Sequence, residues 1–443
     1  MYNLPVVFSN KSVIRKVFFL YLFTVCLSFT AQANSINITP ADDLQYYLDQ
    51  AEAGDHLILN EGSYQGNFVI NTPLQLSGKQ GALLDSLGQG NTLTINAADV
   101  IVNDLQLSNW GHDLTAMNAG IFITREANNT RIINNYLYGD CFGIWVDAAP
   151  NVEITNNRIQ GNEAIRSPDR GNGIHLFNVS GALVKNNEVW HSRDGIYIDT
   201  SNGNQLIGNY LHDLRYGIHY MYSYHNVVAK NHTRHTRTGY ALMQSKYLTV
   251  TQNVSEQDVN YGILMNFITN SIITGNVVTS VQNLRNPQIS HTQQGYQPEG
   301  KALFIYNSLF NQIHNNKLAD SDIGIHLTAG SEDNTFTGNA FINNSSQVKY
   351  VANRSQDWSV DGVGNFWSDY LGWDMNDDAI GDVAYEPNDG IDRLLWKYPA
   401  AKLLINSPSV MLLRWVQRQF PVLKSPGVKD SYPLMTLPAG LTP

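Results

Sequence analysis

A glycine opening a short apolar run returns along this chain at a nearly fixed interval. It reads "GIFI" from Gly120, "GIWV" from Gly143, "GIHL" from Gly173, "GIYI" from Gly195, "GIHY" from Gly217, "GYAL" from Gly239, "GILM" from Gly262 and "GIHL" from Gly324. The three steps from Gly173 to Gly239 are each 22, and the next, to Gly262, is 23. Asparagines keep the same beat eight residues ahead of glycine, at Asn187, Asn209 and Asn231, with Asn253 a further 22 along and Asn316 eight before Gly324. Each period holds strands such as "NQLIGN" and "GIYID" between Asn, Gly and Ser turns. These strands are too short to pair within one repeat. Stacking successive repeats pairs each strand with its counterpart, so the chain is expected to be all-β: a right-handed parallel β-helix with coils of 22–23 residues.

The same beat divides the chain. Lys11, Arg15 and Lys16 precede an apolar run from Val17 to Phe29, and "AQA" closes at Ala33. This is the pattern of a cleaved secretory signal peptide over 1–33, its apolar run being shorter than a spanning helix needs. Thr39-Pro40 is expected to start an N-terminal capping helix within 34–54 that covers the first coil. Coils should run over 55–350, broken by an insertion loop at about 281–300. Residues 351–443 form a C-terminal region with an acidic loop, an amphipathic helix and a basic tail.

Loss of the leader removes three positive charges from a formal −10, leaving about −13, which argues against nucleic acid as a partner. The C-terminal end differs, with seven Lys and Arg from Arg393 onward against one acid, Asp430. Cys26 leaves with the leader. Cys141 then stands alone among apolar residues, as a buried thiol rather than half of a disulfide.

Strand alternation sorts the repeat into faces. Positions +1 and +3 from each glycine are apolar and point inward; +2 and +4 point outward. The outward +2 row includes His175, Tyr197, His219, Ala241, Leu264 and His326, and the +4 row includes Phe177, Asp199, Met221, Met243 and Asn266. His219 and Met221 thus share a face about 7 Å apart, with Met243 one strand spacing, about 4.8 Å, from Met221. One imidazole and two thioethers form a ligand set for a soft ion, chiefly Cu(I). Five of the twelve histidines (His212, His219, His225, His232 and His235) lie within two coils of this point. The bland reading is that both methionines are packing residues covered by the insertion or by a partner. His175, His326 and Met265 are weaker candidates, Met265 because the extra residue before Gly262 moves it to an inward position.

Asp374, Asn376, Asp378 and Asp382 fall at positions 1, 3, 5 and 9 of a loop resembling an acidic calcium site, although Ala379 stands where such loops carry glycine. A solvated acidic turn is the competing reading. Ser407-Pro408 should start the amphipathic helix "SPSVMLLRWVQRQF". An acidic-polysaccharide enzyme is the alternative for such a fold. It would need paired carboxylates, or a carboxylate with Arg and His, on one outward face. Of Asp194, Asp199 and Asp213, only Asp199 falls on the outward rows.

The stretches "RYGIHYMYS", "GYALMQS", "YGILMNF", "NFWSDYLGWD", "IGDVAYEPND", "DRLLWKYP" and "LLRWVQRQFPVL" resemble the NosD family along essentially the whole mature chain. The resemblance implies a periplasmic accessory protein of nitrous oxide reductase, held at the inner membrane through an ABC transporter with permease NosY and ATPase NosF. It further implies transient Cu(I) from the lipoprotein chaperone NosL, with no enzyme activity of its own; no GxxxxGK[ST] motif occurs in the chain. On this footing His219, Met221 and Met243 are the expected copper site. Phe177, Tyr197, Tyr222 and Tyr224 are expected to form an aromatic rim for a partner, and Trp415, Arg414 and Arg418 the contact with the permease. A docking scaffold without copper of its own remains the alternative.

Overall fold

The computed structural model describes residues 34–283, 299–352, 354–388, 391–392, 396, 398, 407–419 and 427–441, the side chains of 417–419 excepted. The expected leader, most of the insertion and the side chain of Arg418 lie outside these residues.

Each coil contributes one strand to each of three parallel sheets, of 13, 12 and 13 strands. They wind into a right-handed solenoid of about 14 turns. The glycine strands form the 12-stranded sheet, from Phe68–Ile70 to Ser346–Val351. Its inward positions stack like on like: Ile174, Ile196, Ile218, Tyr240 and Ile263 are each at most 1% exposed. Burying one such side chain stabilises by about 1.5–3 kcal/mol, so the core is a repeating apolar column.

The repeated glycine has a steric cause. A Cβ at Gly217 would lie 2.5 Å from Cγ2 of Thr233 and 2.6 Å from the carbonyl oxygen of Gly239. The chain turns a corner there, and only a residue without a side chain fits between neighbouring coils. The asparagine beat also has a cause. Oδ1 of Asn209 accepts from N and Nδ2 of Asn187, both at 3.0 Å, and Nδ2 of Asn209 donates to the carbonyl of Val184. The same bonding runs through Asn135, Asn157, Asn187, Asn209, Asn231, Asn253, Asn276, Asn316, Asn339 and Asn365. Each buried amide at the turn is thereby satisfied by the next coil, as buried polar groups require.

The ladder ends on a carboxylate. Oδ2 of Asp430 accepts from N of Asn365 at 2.7 Å and from Nε1 of Trp367 at 2.8 Å. Val428–Lys429 pairs with Gln356–Asp357, which ties the C-terminal segment across the last coil. Trp367 stacks on Phe341 at 4.2 Å beneath it.

The N-terminal end differs from expectation. The first element is a strand, Ser35–Ile38, and the helix is shorter, Leu44–Gln50. Its N-cap is Asp43, whose side chain accepts from N of Tyr46. Thr39 instead closes a turn with Asp42, which accepts from its N and Oγ1. The interruption after Gly262 is present: the register Ile263↔Leu303 spans 40 residues, and coils resume at Lys301–Tyr306. The C-terminal helix is Pro408–Gln419, with Ser407 Oγ accepting from N of Val410.

Candidate metal centre on the outward face

Strand Tyr216–Met221 carries His219 and Met221 outward, both half-buried, while Tyr220 between them is fully buried. The dense tyrosine and histidine stretch is thus divided between core and surface by alternation. The register Tyr220↔Leu242 sets Met221 alongside Met243, also half-buried. Asp199 lies beyond Met221 and Asn266 beyond Met243, so the two thioethers are bracketed by oxygen-bearing side chains.

His219 is held from behind. Its Nδ1 is 3.0 Å from Oδ2 of Asp194, a side chain that is 1% exposed. Arg215 donates to both oxygens of Asp194, from Nε at 2.8 Å and Nη2 at 2.6 Å. Burial opposes ionisation of Asp194, but the bonds from His219 and Arg215 outweigh it and hold its pKa below the usual carboxylate range. The carboxylate therefore fixes the Nδ1–H tautomer of the imidazole and leaves the Nε2 lone pair available. Among the described residues nothing hydrogen-bonds that nitrogen. The ring is clamped between Tyr197, stacked at 4.4 Å, and Tyr216, edge-on at 5.0 Å.

Asp194 was not expected on this face. Strict alternation assigns the residue before each glycine an inward direction, but the corner at glycine reverses it. Tyr216 touches His219, and Phe142 touches Trp145 and His175, for the same reason. The sequence signal was available as the row Phe142, Asn172, Asp194, Tyr216, Thr238 and Tyr261, one position ahead of each glycine.

The other candidates separate. Met265 is fully buried in register with Leu242, so it is a core residue and not a ligand. His175 lies two coils from His219, about 10 Å at the strand spacing, packed between Trp145 at 4.0 Å and Tyr197 at 4.6 Å. Burial lowers its pKa to about 3. His326 lies four coils away in the opposite direction, beside Phe304, its pKa also lowered to about 3 by burial. Neither reaches the methionines. Among the described residues no group of three or more His, Cys, Asp and Glu is arranged to hold an ion. The mixed imidazole–thioether set is therefore the one to weigh.

In the acidic loop, the carboxylates bind their own backbone. Asp374 accepts from N of Asp377 and Ala379, Asp378 from N of Ile380, and Asp382 from N of Met375. Of the expected rim, Phe177 and Tyr222 are exposed and Tyr224 lies beneath Lys246, whereas Tyr197 is part of the ring stack, its pKa raised to about 12 by burial. Trp415 is exposed, and Arg414 is paired with Asp392 at 2.7 Å. The thiol of Cys141 is buried, its pKa pushed up to about 12.

Comparison with known proteins bears on this face. A family model described as "Periplasmic copper-binding protein (NosD)" matches residues 155–372, which include every residue of the candidate site. A "Probable ABC transporter binding protein NosD" of Stutzerimonas stutzeri is 60% identical over 380 residues, covering 86% of this chain and 86% of its own. The chain belongs to the NosD family. A NosD relative of the same description from Pseudomonas aeruginosa is 55% identical over 392 residues, 88% of this chain and 90% of that one. Both relatives are named as transporter binding components and not as enzymes. A second family model, "Right handed beta helix region", matches residues 75–191, in accord with the solenoid. A PL6 alginate lyase in complex with a trisaccharide superposes with a TM-score of 0.49 at 13% identity, over 72% of this chain and 84% of that one. A likeness that slight says nothing about activity.

Proposed function

We propose that this protein is a periplasmic maturation factor for nitrous oxide reductase. It receives Cu(I) from a chaperone of the NosL type and helps deliver it to the copper–sulfide site, as part of a transporter with a NosY permease and a NosF ATPase. The observation that carries the reading is the buried Asp194 on Nδ1 of His219. A carboxylate behind an imidazole, leaving Nε2 bare, is the outer-shell arrangement of metal-binding histidines. His219 would supply nitrogen, and Met221 and Met243 sulfur, to an ion that favours soft donors in low coordination number. A site with few ligands on an open strand face suits a cargo that must leave again.

The family description as periplasmic and copper-binding supports this reading, as do the transporter-binding names of the relatives. The exposed Trp415 and the basic C-terminal residues would meet the permease. A role for calcium in the acidic loop has no support beyond spacing, since its carboxylates already accept from loop amides.

An anaerobic Cu(I) titration against a competing chelator tests the proposal, run with the wild type, Met221→Leu/Met243→Leu and His219→Ala. Uptake of one ion by the wild type and its loss in both variants is the expected result. Equal, negligible uptake by all three would sink it, leaving a scaffold that holds the donor and the reductase together without carrying copper.

A further inference from the structure

The turn that follows the methionine strands is built from unusually costly residues. Its first row contains Thr200, Tyr222, Gln244, Phe267 and Asn307, and its second contains Gly203, His225, Tyr247, Asn270 and Phe310, all at positive φ. Tyr222, Phe267, Tyr247 and Phe310 have φ of 49°, 55°, 56° and 58°. In the left-handed region, bulky side chains are disfavoured and Asn or Gly is at ease. Earlier coils follow that rule in the second row, with Asn151, Gly181 and Gly203. Four aromatics have replaced the easy residues over four successive coils, and they are not buried: Tyr222 is 49% exposed, Tyr247 44%, Phe267 44% and Phe310 54%. Backbone strain combined with exposed aromatic surface marks a place kept for contact rather than for folding.

The charge of the same coils specifies what they contact. Over the first two of these coils, from Leu214 to Ser255, the chain carries Arg215, Lys230, Arg234, Arg237 and Lys246 and no Asp or Glu. Arg215 is paired with Asp194 and Arg234 with Glu256, which leaves Lys246 as the cation on the turn. Lys246 stands on the aromatic turn itself, its Nζ 5.0 Å from the Tyr224 ring and 5.7 Å from the Tyr247 ring. Tyr222 directly follows Met221 in sequence, so whatever covers this turn lies against the thioethers.

We propose that the ridge of Tyr222, Tyr247, Phe267 and Phe310, with Lys246, is the docking surface for an acidic Cu(I)-carrying protein. The partner buries the aromatics at its centre, meets Lys246 with a carboxylate, and brings its ion to the Met221–Met243 edge. The inference rests on the copper reading above and adds to it the surface across which the ion is exchanged.

The test replaces the aromatics with the residues that the backbone prefers: Tyr222→Asn/Tyr247→Gly/Phe267→Asn/Phe310→Asn. The probe is the Cu(I)-loaded soluble domain of a NosL lipoprotein, with transfer followed by stopped flow and complex formation by sedimentation velocity. The expected result is a melting temperature at or above wild type, unchanged Cu(I) uptake from a small chelator, and protein-to-protein transfer at least ten-fold slower. Lys246→Glu alone should slow transfer and weaken its dependence on salt. Unchanged transfer in the fourfold variant overturns the proposal. So does a lower melting temperature, which would make the aromatics packing residues. Self-association of the wild type that the variant abolishes, with transfer intact, would assign the ridge to a second copy of the chain. If the wild type binds no copper from the chelator but complex formation still depends on the ridge, the docking surface stands and the copper site falls.

Discussion

Oδ2 of Asp194 and Nδ1 of His219 lie 3.0 Å apart across two neighbouring coils, and the carboxylate is further clamped by Nε and Nη2 of Arg215. This contact decides which imidazole nitrogen faces outward. Asp194→Asn should weaken Cu(I) binding by about 10–100-fold, the range typical of lost outer-shell partners. Chelator competition measures it, and unchanged affinity would mean that His219 is not a ligand.

Met221→Leu/Met243→Leu conserves volume at two half-buried positions. Such swaps cost less than about 1.5 kcal/mol, so urea denaturation should barely change while copper uptake disappears. A large loss of stability would instead identify the methionines as packing residues.

Acid should destabilise the protein through its buried histidines. His175 and His326 have folded pKa values lowered to about 3 by burial. In the unfolded chain each titrates near its ordinary value of about 6.5. Between these values the unfolded state binds the extra protons, so stability is full above about pH 6.5 and falls as pH drops toward 3. At pH 5 each histidine accounts for about 2 kcal/mol of loss. Asp258 works in the opposite direction: burial raises its pKa to about 6, so the folded state takes up a proton below that pH and offsets part of the loss. Denaturant curves at pH 7 and pH 5 should show the drop, and His175→Phe should reduce it by about 2 kcal/mol. An equal drop in that variant would refute the assignment.

Asp430→Ala leaves N of Asn365, N of Tyr432 and Nε1 of Trp367 without their buried acceptor. An unsatisfied buried group costs about 1–3 kcal/mol, and several are created at once. Loss of at least about 3 kcal/mol in urea denaturation is expected. A shift under about 1 kcal/mol would mean that water replaces the carboxylate freely.

The solenoid was legible because its two constraints recur: glycine where coils would collide, and asparagine where turn amides need a partner. Periodicity converts each into a countable signal, and the outward directions of His219, Met221 and Met243 followed from it. Asp194 was not legible by the same rule, because the glycine corner that makes the repeat visible also reverses the alternation one residue before it. Asp430 was hidden for a different reason. It meets Asn365 from 65 residues away, and its segment belongs to no repeat, so no local pattern marks it. Met265 shows the reverse: a plain 22-residue spacing from Met243 suggested a third ligand, and a single inserted residue turned it into the core.

The asparagine ladder is a chain of identical steps, and identical steps have no inherent last member. Asn365 presents donors that another coil's Oδ1 would accept as readily as Asp430 does. The aspartate differs in having no amide to hand the pattern onward. It therefore acts as a terminator: molecules lacking residues beyond about 427 would leave N and Nδ2 of Asn365 without their acceptor at an open coil edge.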